Sequence, residues 1–364
     1  MSEFKVDFPT MGDLADGWMK QHCRVPDGFQ RGKPFNMADW QFWCVANRYR
    51  VRPGSVFVPP EEVGPDSPAL LNQAFHYQQT LIVAPQKTGK GPISAACVAY
   101  EAAGPSVFGG FAKRGAVYDC GDHGCSCGWV WEYQPGEPMG IRHPSPLIQI
   151  TSFSQEAADN IYRPLRAMIR LGPLKDLLAD RGNFVRVLGM SDIDDLDRVD
   201  VVTASADSRL GNPISDAEQD EAGIWTASNK MQDVADTQNR GATAMGGRTH
   251  LTTNAWDTSQ RSYAQLVYEA ASPDTFVFFR NPDLALRDDN GNRLDYLKAE
   301  HRRRIHEYVY QGSWWVNLDA IEGLAVKLIK RDPQQAARFF GNRLEQGLGA
   351  WLPTGRWAGA YAGS

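Results

Sequence analysis

Several features that would place the chain in a specialised class are missing from its 364 residues. It has no apolar run near 18 residues, so the sequence predicts no membrane-spanning helix. Its opening stretch, MSEFKVDFPTMGDLADGW, is acidic and polar and lacks the pattern of a secretory leader, so we expect an intracellular protein. Basic residues are not in excess either, because the net charge is −5. A protein that wraps DNA with a fixed basic face is usually more basic, so we expect any nucleic-acid contact to be local, transient or shared between subunits.

Repeats and low-complexity tracts are also missing. The six cysteines do not predict a disulfide framework, because such frameworks belong to short secreted chains. Apolar residues make up 42% and charged residues 22% of the chain, which is the composition of an ordinary globular protein. The sequence is therefore long enough for one large domain or two modest ones.

A strand, a glycine-lysine turn and a helix follow one another in residues 80–104. TLIVA has the length of a strand, PQKTGKG forms the turn, and Pro92 suits the first turn of the helix that follows. The order matters because loop amides and the N-terminus of a helix together bind phosphate. A surface turn with a solvated lysine is the alternative when the Gly-Lys pair is taken without this context.

The turn departs from the common phosphate-binding loop, which has Gly, four residues, Gly, Lys and then Ser or Thr. Gly89 and Lys90 fit this pattern, but Ala84 replaces the first glycine and Gly91 replaces the hydroxyl residue that normally binds magnesium. Either Thr88 or Ser94 is a candidate to supply the missing hydroxyl, or the metal relies on water and a carboxylate. Lys90 would neutralise the β- and γ-phosphates.

An acidic pair, Asp220-Glu221, is the candidate for the second half of a nucleotide site. In such sites the Asp orients the magnesium shell and the Glu activates the attacking water. The residues before the pair, ISDAEQ, are more polar than a buried strand usually is. An acidic surface loop is therefore the competing interpretation.

Strands alternate with helices along most of the chain. PLIQIT, FVRVLG, RVDVVTASA and RTHLTTNAW have the composition of strands, and helices are predicted within 36–51 and 152–171. This alternation predicts an α/β fold with a mostly parallel sheet and helices on both faces. We expect an ATPase core over residues 1–255, with a Cys/Gly-rich insertion at about 105–146. A helical lid over 256–350, with helices at 260–271, 295–310 and 333–345, and a linker over 351–364 complete the predicted organisation.

These motifs together resemble the ATPase domain of the terminase large subunit, the DNA-packaging motor of tailed double-stranded DNA phages. The resemblance rests on DWQFWCVANRYRVRP, APQKTGKGP, SADSRLGNPISDAEQDEAGIW and TTNA, and it runs from about residue 36 to residue 350. It implies the P-loop NTPase fold of the ASCE type, binding of ATP and Mg²⁺, and hydrolysis coupled to DNA translocation.

The resemblance also implies roles for individual residues. Gln41 would read the adenine, and Thr253 and Asn254 would couple hydrolysis to movement. Arg209 would be offered to a neighbouring subunit's nucleotide, since it lies 12 residues before Glu221. The residues expected to bind nucleotide are Gln41, Gln86, Lys87, Thr88, Gly89, Lys90, Gly91, Asp220, Thr253 and Asn254; those expected in catalysis are Glu221, Lys90 and Arg209. Gln86 stands where many relatives have an arginine, so Lys87 is expected to take over part of that role.

The implied partners are double-stranded DNA, the portal and prohead, the terminase small subunit, and further copies of the chain in a ring that is pentameric in the family. The implied location is the cytoplasm of an infected bacterial host. Terminase large subunits continue into a nuclease domain with a carboxylate cluster, whereas the only comparable cluster here is DIDDLD at 192–197, which is typical of a solvated loop. We therefore expect no nuclease activity in this chain. Two alternatives stay open: a helicase-like DNA-stimulated ATPase, and a non-enzymatic, zinc-stabilised assembly protein with a decayed phosphate loop.

Three further stretches carry candidate chemistry. CGDHGCSCGW offers Cys120, His123, Cys125 and Cys127 as zinc ligands, with His143 as a substitute for His123, although a reduced cysteine-rich loop is the competing interpretation. The basic run HRRRIH at 301–306 suggests phosphate contact or a solvated helix face. Trp314-Trp315 is expected in the core of the lid.

Overall fold

The computed structural model describes residues 4–64, 74–191, 196–203 and 212–347. The strands are β1 (Gln79–Val83), β2 (Val107–Phe111), β3 (Val117–Asp119), β4 (Val130–Glu132), β5 (Pro138–Ile141), β6 (Leu147–Thr151), β7 (Leu178–Asp180), β8 (Phe184–Val187), β9 (Arg198–Val202), β10 (Asp216–Asp220), β11 (Arg248–Thr253) and β12 (Thr275–Phe279). The helices are α1 (Gly12–His22), α2 (Asp39–Arg48), α3 (Lys90–Ala103), α4 (Gln155–Leu171), α5 (Met231–Ala244), α6 (Tyr263–Ala270), α7 (Pro282–Ala285), α8 (Ala299–Val309), α9 (Leu318–Ile329) and α10 (Pro333–Phe339).

An eight-stranded sheet forms the centre of the fold, in the order β12-β1-β11-β10-β6-β9-β8-β7. The first six strands are parallel, and β8 and β7 continue the sheet in antiparallel pairing. Helices α3 and α4 pack around Ile148 and Ile150 on one face, whereas α5 and α6 pack around Leu81 and Leu251 on the other. The predicted α/β class, with a mostly parallel sheet covered on both faces, is confirmed.

Local signals explain where several of these elements begin. The Ser154 hydroxyl accepts a hydrogen bond from the Ala157 amide at 3.2 Å and caps α4, and Asn317 caps α9 in the same manner. None of the helices in the described ranges combines the length and the apolarity that a bilayer crossing requires.

Strand β12 lies beyond residue 255, where the sequence led us to end the core. It pairs with β1 along its whole length, so the central sheet draws a strand from the segment assigned to the lid. The lid helices, α8 to α10, follow it and surround their own apolar cluster, which includes Ile305, Ile321 and Ala336. Helix α9 is an element that the sequence analysis did not predict.

The insertion contains two small antiparallel sheets, β2 with β5 and β3 with β4. A 3₁₀ turn, Cys120–His123, follows β3 directly, and the Asp119 side chain caps it by accepting a hydrogen bond from the Gly121 amide at 2.8 Å. The insertion packs on α1, where an added Cβ at Gly17 would lie 2.7 Å from the ring of Trp131.

Strand β10 is buried at all five positions although its sequence is DAEQD. Arg48, at the end of α2, bonds to the carboxylate of Glu218 and lies 3.2 Å from that of Asp216. Arg248 on β11 bonds to Glu101 on α3 at 2.8 Å. These arginines replace the hydration that the acidic groups lose, so an acidic stretch forms a central strand here rather than the surface loop considered above.

Burial raises the pKa of Glu218 to about 8, with a further increase from neighbouring Asp216 and an opposing effect from Arg48. Glu218 is therefore mostly protonated at neutral pH, which leaves two arginines facing the carboxylates of Glu101 and Asp216. The charges of the cluster then balance, as a buried ionic group requires.

Candidate nucleotide site

Three parallel strands end side by side at the edge of the sheet where the candidate residues lie. β11 stands between β1 and β10, and the register pairs Val83 with Thr253 and Asp220 with Thr252. The phosphate loop follows β1, the acidic pair ends β10, and Asn254 follows β11. The carboxyl ends of parallel strands are where α/β folds commonly bind ligands.

Lys90 is held at the centre of this edge. Its ammonium donates hydrogen bonds to the carbonyl oxygens of Ala84 at 2.7 Å and Pro85 at 3.0 Å, and to the side-chain oxygen of Asn254 at 3.0 Å. Burial lowers the pKa of Lys90 to about 8, against the opposing effect of the Asp220 and Glu221 carboxylates. A phosphate oxygen offers this ammonium a charged acceptor in place of neutral ones.

The loop backbone has the geometry of an anion-binding turn. Lys87 and Gly89 have φ values of 71° and 84°, in the left-handed region, and α3 begins directly afterwards at Lys90. Glycine adopts this conformation without strain, and the first amides of a helix have no partner within it. These amides, together with Lys90, are the groups that can receive a phosphate.

Gly91 is fixed by a close contact with helix α4. A Cβ added at this position would lie 2.2 Å from the carbonyl oxygen of Asn160. No serine or threonine fits there without separating α3 from α4. The departure from the common loop pattern is therefore a packing requirement of this fold, and it gives no support to a decayed loop.

The hydroxyl groups considered as replacements are engaged elsewhere. Thr88 is buried and donates to the carbonyl oxygen of Pro85 at 2.8 Å, and Ser94 bonds to Glu218. Thr252 instead donates to the Asp220 carboxylate at 2.7 Å. Sequence reasoning missed Thr252, although its position in the TTNA stretch, one residue before Thr253, offered a signal.

Asp220 lies beside Lys90 and has the environment of a carboxylate that holds a metal shell. It is 4% exposed, and besides Thr252 it receives the Asn160 side chain at 3.4 Å. Burial raises its pKa, whereas hydrogen bonds from Thr252 and Asn160 and the charge of Lys90 lower it. Carboxylate, hydroxyl and water oxygens are the ligands that Mg²⁺ prefers, so these residues fit that ion.

Glu221 leaves the strand in the left-handed conformation, with φ 59° and ψ 33°. Burial raises its pKa, neighbouring Asp220 raises it further, and Lys90 opposes both effects. A non-glycine residue in this conformation is strained, and such strain is concentrated at functional sites. The turn separates the Glu221 side chain from the strand that holds Asp220, as different roles for the two carboxylates require.

Thr253 and Asn254 connect the acidic pair to Lys90. The Thr253 hydroxyl accepts from the Gly223 amide at 2.9 Å and donates to the Asn254 carbonyl oxygen at 2.8 Å. A Cβ at Gly223 would lie only 2.3 Å from that hydroxyl, so glycine is needed there. These bonds link Lys90, through Asn254 and Thr253, to the segment that follows Glu221.

The rim of the site is formed by α2 and the lid. Gln41 caps α2 through a 3.0 Å bond from the Ala38 amide, and its side-chain nitrogen lies 3.4 Å from the position of a Cβ at Gly89. The Gln86 carbonyl accepts from the Tyr310 hydroxyl at 3.0 Å, so the lid contacts the loop itself.

The expectation that Trp314-Trp315 lies in the core of the lid is wrong. Trp314 is 63% exposed and Trp315 is 37% exposed. The Trp315 indole nitrogen donates to the carbonyl oxygen of Lys87 at 3.2 Å, and its ring lies 3.1 Å from the position of a Cβ at Gly89. The polar backbone of the turn, which offers this ring a hydrogen-bond acceptor, explains its position outside the apolar cluster.

Two other stretches divide differently. Arg209 and most of DIDDLD lie outside the described residues, since 204–211 and 192–195 are among the ranges not described. In the basic run, Arg302 pairs with Glu322 at 2.5 Å and Arg303 pairs with Asp319 at 2.6 Å. These pairs favour a structural role over phosphate contact.

The cysteine cluster takes a different histidine from the one that the sequence suggested. Cys120, Cys125 and Cys127 lie with His22, the last residue of α1. His123 stacks on Tyr118 instead, and the His143 ring accepts from the Ser145 amide. The local spacing could not indicate His22, because it comes from about 100 residues earlier in the chain.

Comparison with known proteins identifies the fold. No protein-family model and no curated protein matches the sequence. The crystal structure of the large terminase of bacteriophage HK97 matches with a TM-score of 0.58 and 13% identity, over 92% of this chain and 55% of that one. The ATPase domain of the Thermus phage P74-26 large terminase matches at TM-score 0.37 and 10% identity, over 74% of this chain and 89% of that one. The large terminase of another thermophilic bacteriophage, in complex with ADP, matches at TM-score 0.36 and 10% identity, over 65% of this chain and 47% of that one.

The fold assignment rests on the HK97 structure, of which this chain spans about half the length. The order of the strands, the loop after β1 and the acidic pair after β10 agree with that assignment. This chain therefore has the P-loop ATPase fold of the HK97 large terminase, and the resemblance to that family is confirmed at the level of the fold.

Proposed function

We propose that this chain is the ATP-hydrolysing motor of a phage terminase that drives double-stranded DNA into a prohead. One observation carries the proposal: Lys90, Asp220 and Asn254 meet at the ends of three adjacent strands, within a fold shared with a large terminase. The buried strand β10 and the packing reason for Gly91 remove the two features that favoured a decayed loop.

In this proposal Lys90 exchanges its neutral acceptors for the β- and γ-phosphates of ATP. The first amides of α3 and the loop backbone bind the remaining phosphate oxygens. Asp220, supported by Thr252 and Asn160, holds the water shell of Mg²⁺, which neutralises developing charge on the phosphates. Glu221 accepts the proton of the attacking water.

Transmission of the chemical step would begin with Lys90. When its ammonium turns toward phosphate, the Asn254 side chain loses a bond partner. Asn254 and Thr253 are joined to Gly223 and hence to the segment beyond Glu221. Loss of the γ-phosphate reverses this exchange, so the end of β11 reports the state of the nucleotide.

The assembled motor would be a ring, pentameric by family resemblance. Arg209 would reach the nucleotide of the neighbouring subunit, and the exposed Lys87 would assist from its own loop. The proposed partners are DNA, the portal of the prohead and the terminase small subunit, in the cytoplasm of the infected host.

Steady-state ATP hydrolysis with Mg²⁺, over a range of protein concentrations, tests this proposal. Lys90→Ala should weaken nucleotide binding at least about tenfold, since it removes the charged donor to phosphate. Glu221→Gln should keep binding and lower turnover by about 10²–10⁴-fold, the usual contribution of a general base. Lys113→Ala and Glu300→Gln, at exposed positions far from the site in sequence, are matched controls.

Arg209→Ala should abolish the steeper-than-linear rise of turnover with concentration that a shared site produces. Turnover that survives Glu221→Gln would show that another residue is the base. Strand separation by the active protein, measured on a forked duplex, would favour the helicase-like alternative over a packaging motor.

A further inference from the structure

Three thiols and one imidazole meet between α1 and the insertion. The donor atoms of His22, Cys120, Cys125 and Cys127 all lie within 4.8 Å of one another. The Cys127 sulfur is 3.4 Å from the Cys120 sulfur and 3.4 Å from Nε2 of His22. A tetrahedral zinc site with Zn–S bonds of about 2.3 Å places its donors roughly 3.5–3.8 Å apart. The cluster therefore has the dimensions of such a site.

The orientation of His22 is that of a metal ligand. Its Nδ1 is 2.8 Å from the carbonyl oxygen of Trp18, so the ring donates its proton there and leaves the lone pair of Nε2 facing the thiols. The ring is fully buried and stacks on Trp18 with centroids 4.4 Å apart. A hydrogen bond from the second ring nitrogen to a carbonyl is the usual support of a zinc-bound histidine.

The cysteine loop is held in shape by bonds that do not involve the thiol protons. The Trp129 amide donates to the Cys120 sulfur, and the Cys127 amide donates to the Cys125 sulfur. Ser126, between two of the cysteines, donates through its amide at 3.0 Å to the Asp176 carboxylate. Amide donors to sulfur stabilise thiolates, which are the form that binds zinc.

We propose that His22, Cys120, Cys125 and Cys127 bind one zinc ion, which fastens the insertion to helix α1. The role is structural, because four protein donors complete a tetrahedral shell and leave no position for substrate. Trp18 on α1 contacts Tyr100 on α3 with centroids 5.4 Å apart, so the zinc also steadies α1 against the phosphate-loop helix. This proposal is independent of the proposed ATPase function.

Metal analysis of the full chain, purified after growth with zinc and without chelators, tests the site. Wild type should carry one zinc per chain. His22→Ala should lose it, and His22→Cys should regain it, since a fourth thiolate completes an all-cysteine site. His123→Ala and Cys44→Ala should keep the metal, because these residues lie outside the cluster. Cobalt added to stripped protein should give the absorption bands of tetrahedral thiolate coordination.

The opposite results are equally clear. Wild type without zinc that also fails to bind cobalt would overturn the proposal, and so would zinc that is lost with His123→Ala but kept with His22→Ala. Thiol titration of the denatured chain separates zinc from a disulfide between the close sulfurs. Six free thiols agree with the zinc site, and four would refute it.

Discussion

Restoring the missing hydroxyl of the phosphate loop should damage this protein rather than improve it. An ideal Cβ at Gly91 lies 2.2 Å from the Asn160 carbonyl oxygen, about 1.2 Å short of the 3.4 Å at which ordinary contact begins. Gly91→Ser therefore requires α3 and α4 to separate. Overpacking of this kind costs about 1–3 kcal/mol, which exceeds the gain of at most about 1 kcal/mol from replacing a helical glycine.

The displacement should also reach the chemistry. The backbone of Asn160 meets Gly91 while its side chain contacts the Asp220 carboxylate at 3.4 Å. When the backbone is pushed away, this contact is lost and Asp220 is less well oriented. We expect Gly91→Ser to lower both the urea midpoint of unfolding and the rate of ATP hydrolysis.

A matched control is available in α9. Gly323 is also helical, and an added Cβ there meets no atom within 4 Å among the described residues. Gly323→Ala should stabilise the protein by about 0.5–1 kcal/mol, whereas Gly91→Ala should destabilise it. Urea unfolding of the two alanine variants checks the packing argument without the hydroxyl. If Gly91→Ser were as stable as wild type and hydrolysed ATP faster, the argument from the α3–α4 contact would be refuted.

Two further predictions concern the loop. Because burial lowers the pKa of Lys90 to about 8, nucleotide binding above that pH requires uptake of a proton, and the association constant should fall by up to about tenfold per pH unit. Lys90→Arg stays charged and should flatten this dependence in calorimetric titrations, while an equal slope in both proteins would contradict it. Since Trp315 touches the loop at Lys87 and Gly89, nucleotide should change the protein's fluorescence, and Trp315→Phe should abolish that change while Trp314→Phe keeps it. An unchanged response in Trp315→Phe would mean that this ring does not meet the nucleotide-bound loop.

Local patterns in the sequence were enough for the fold class and for part of the site. TLIVA, the Gly-Lys turn and the helix after Pro92 correspond to β1, the loop and α3. Each of these signals is contained within a few residues, because apolar runs, glycine turns and helix caps act on their own neighbourhood. The acidic pair and the TTNA stretch could be named for the same reason.

Strand β10 shows what local patterns could not decide. DAEQD has the composition of a solvated loop until Arg48, 168 residues away, places its guanidinium against Asp216. The same limit applies to Gly91, whose reason is the carbonyl oxygen of Asn160, and to the cysteine cluster, whose fourth member is His22. The sequence by itself determined which elements form and which residues carry chemistry. The tertiary structure decided which charges are neutralised, which side chains fit and which donors meet, because those depend on contacts between residues far apart in the chain.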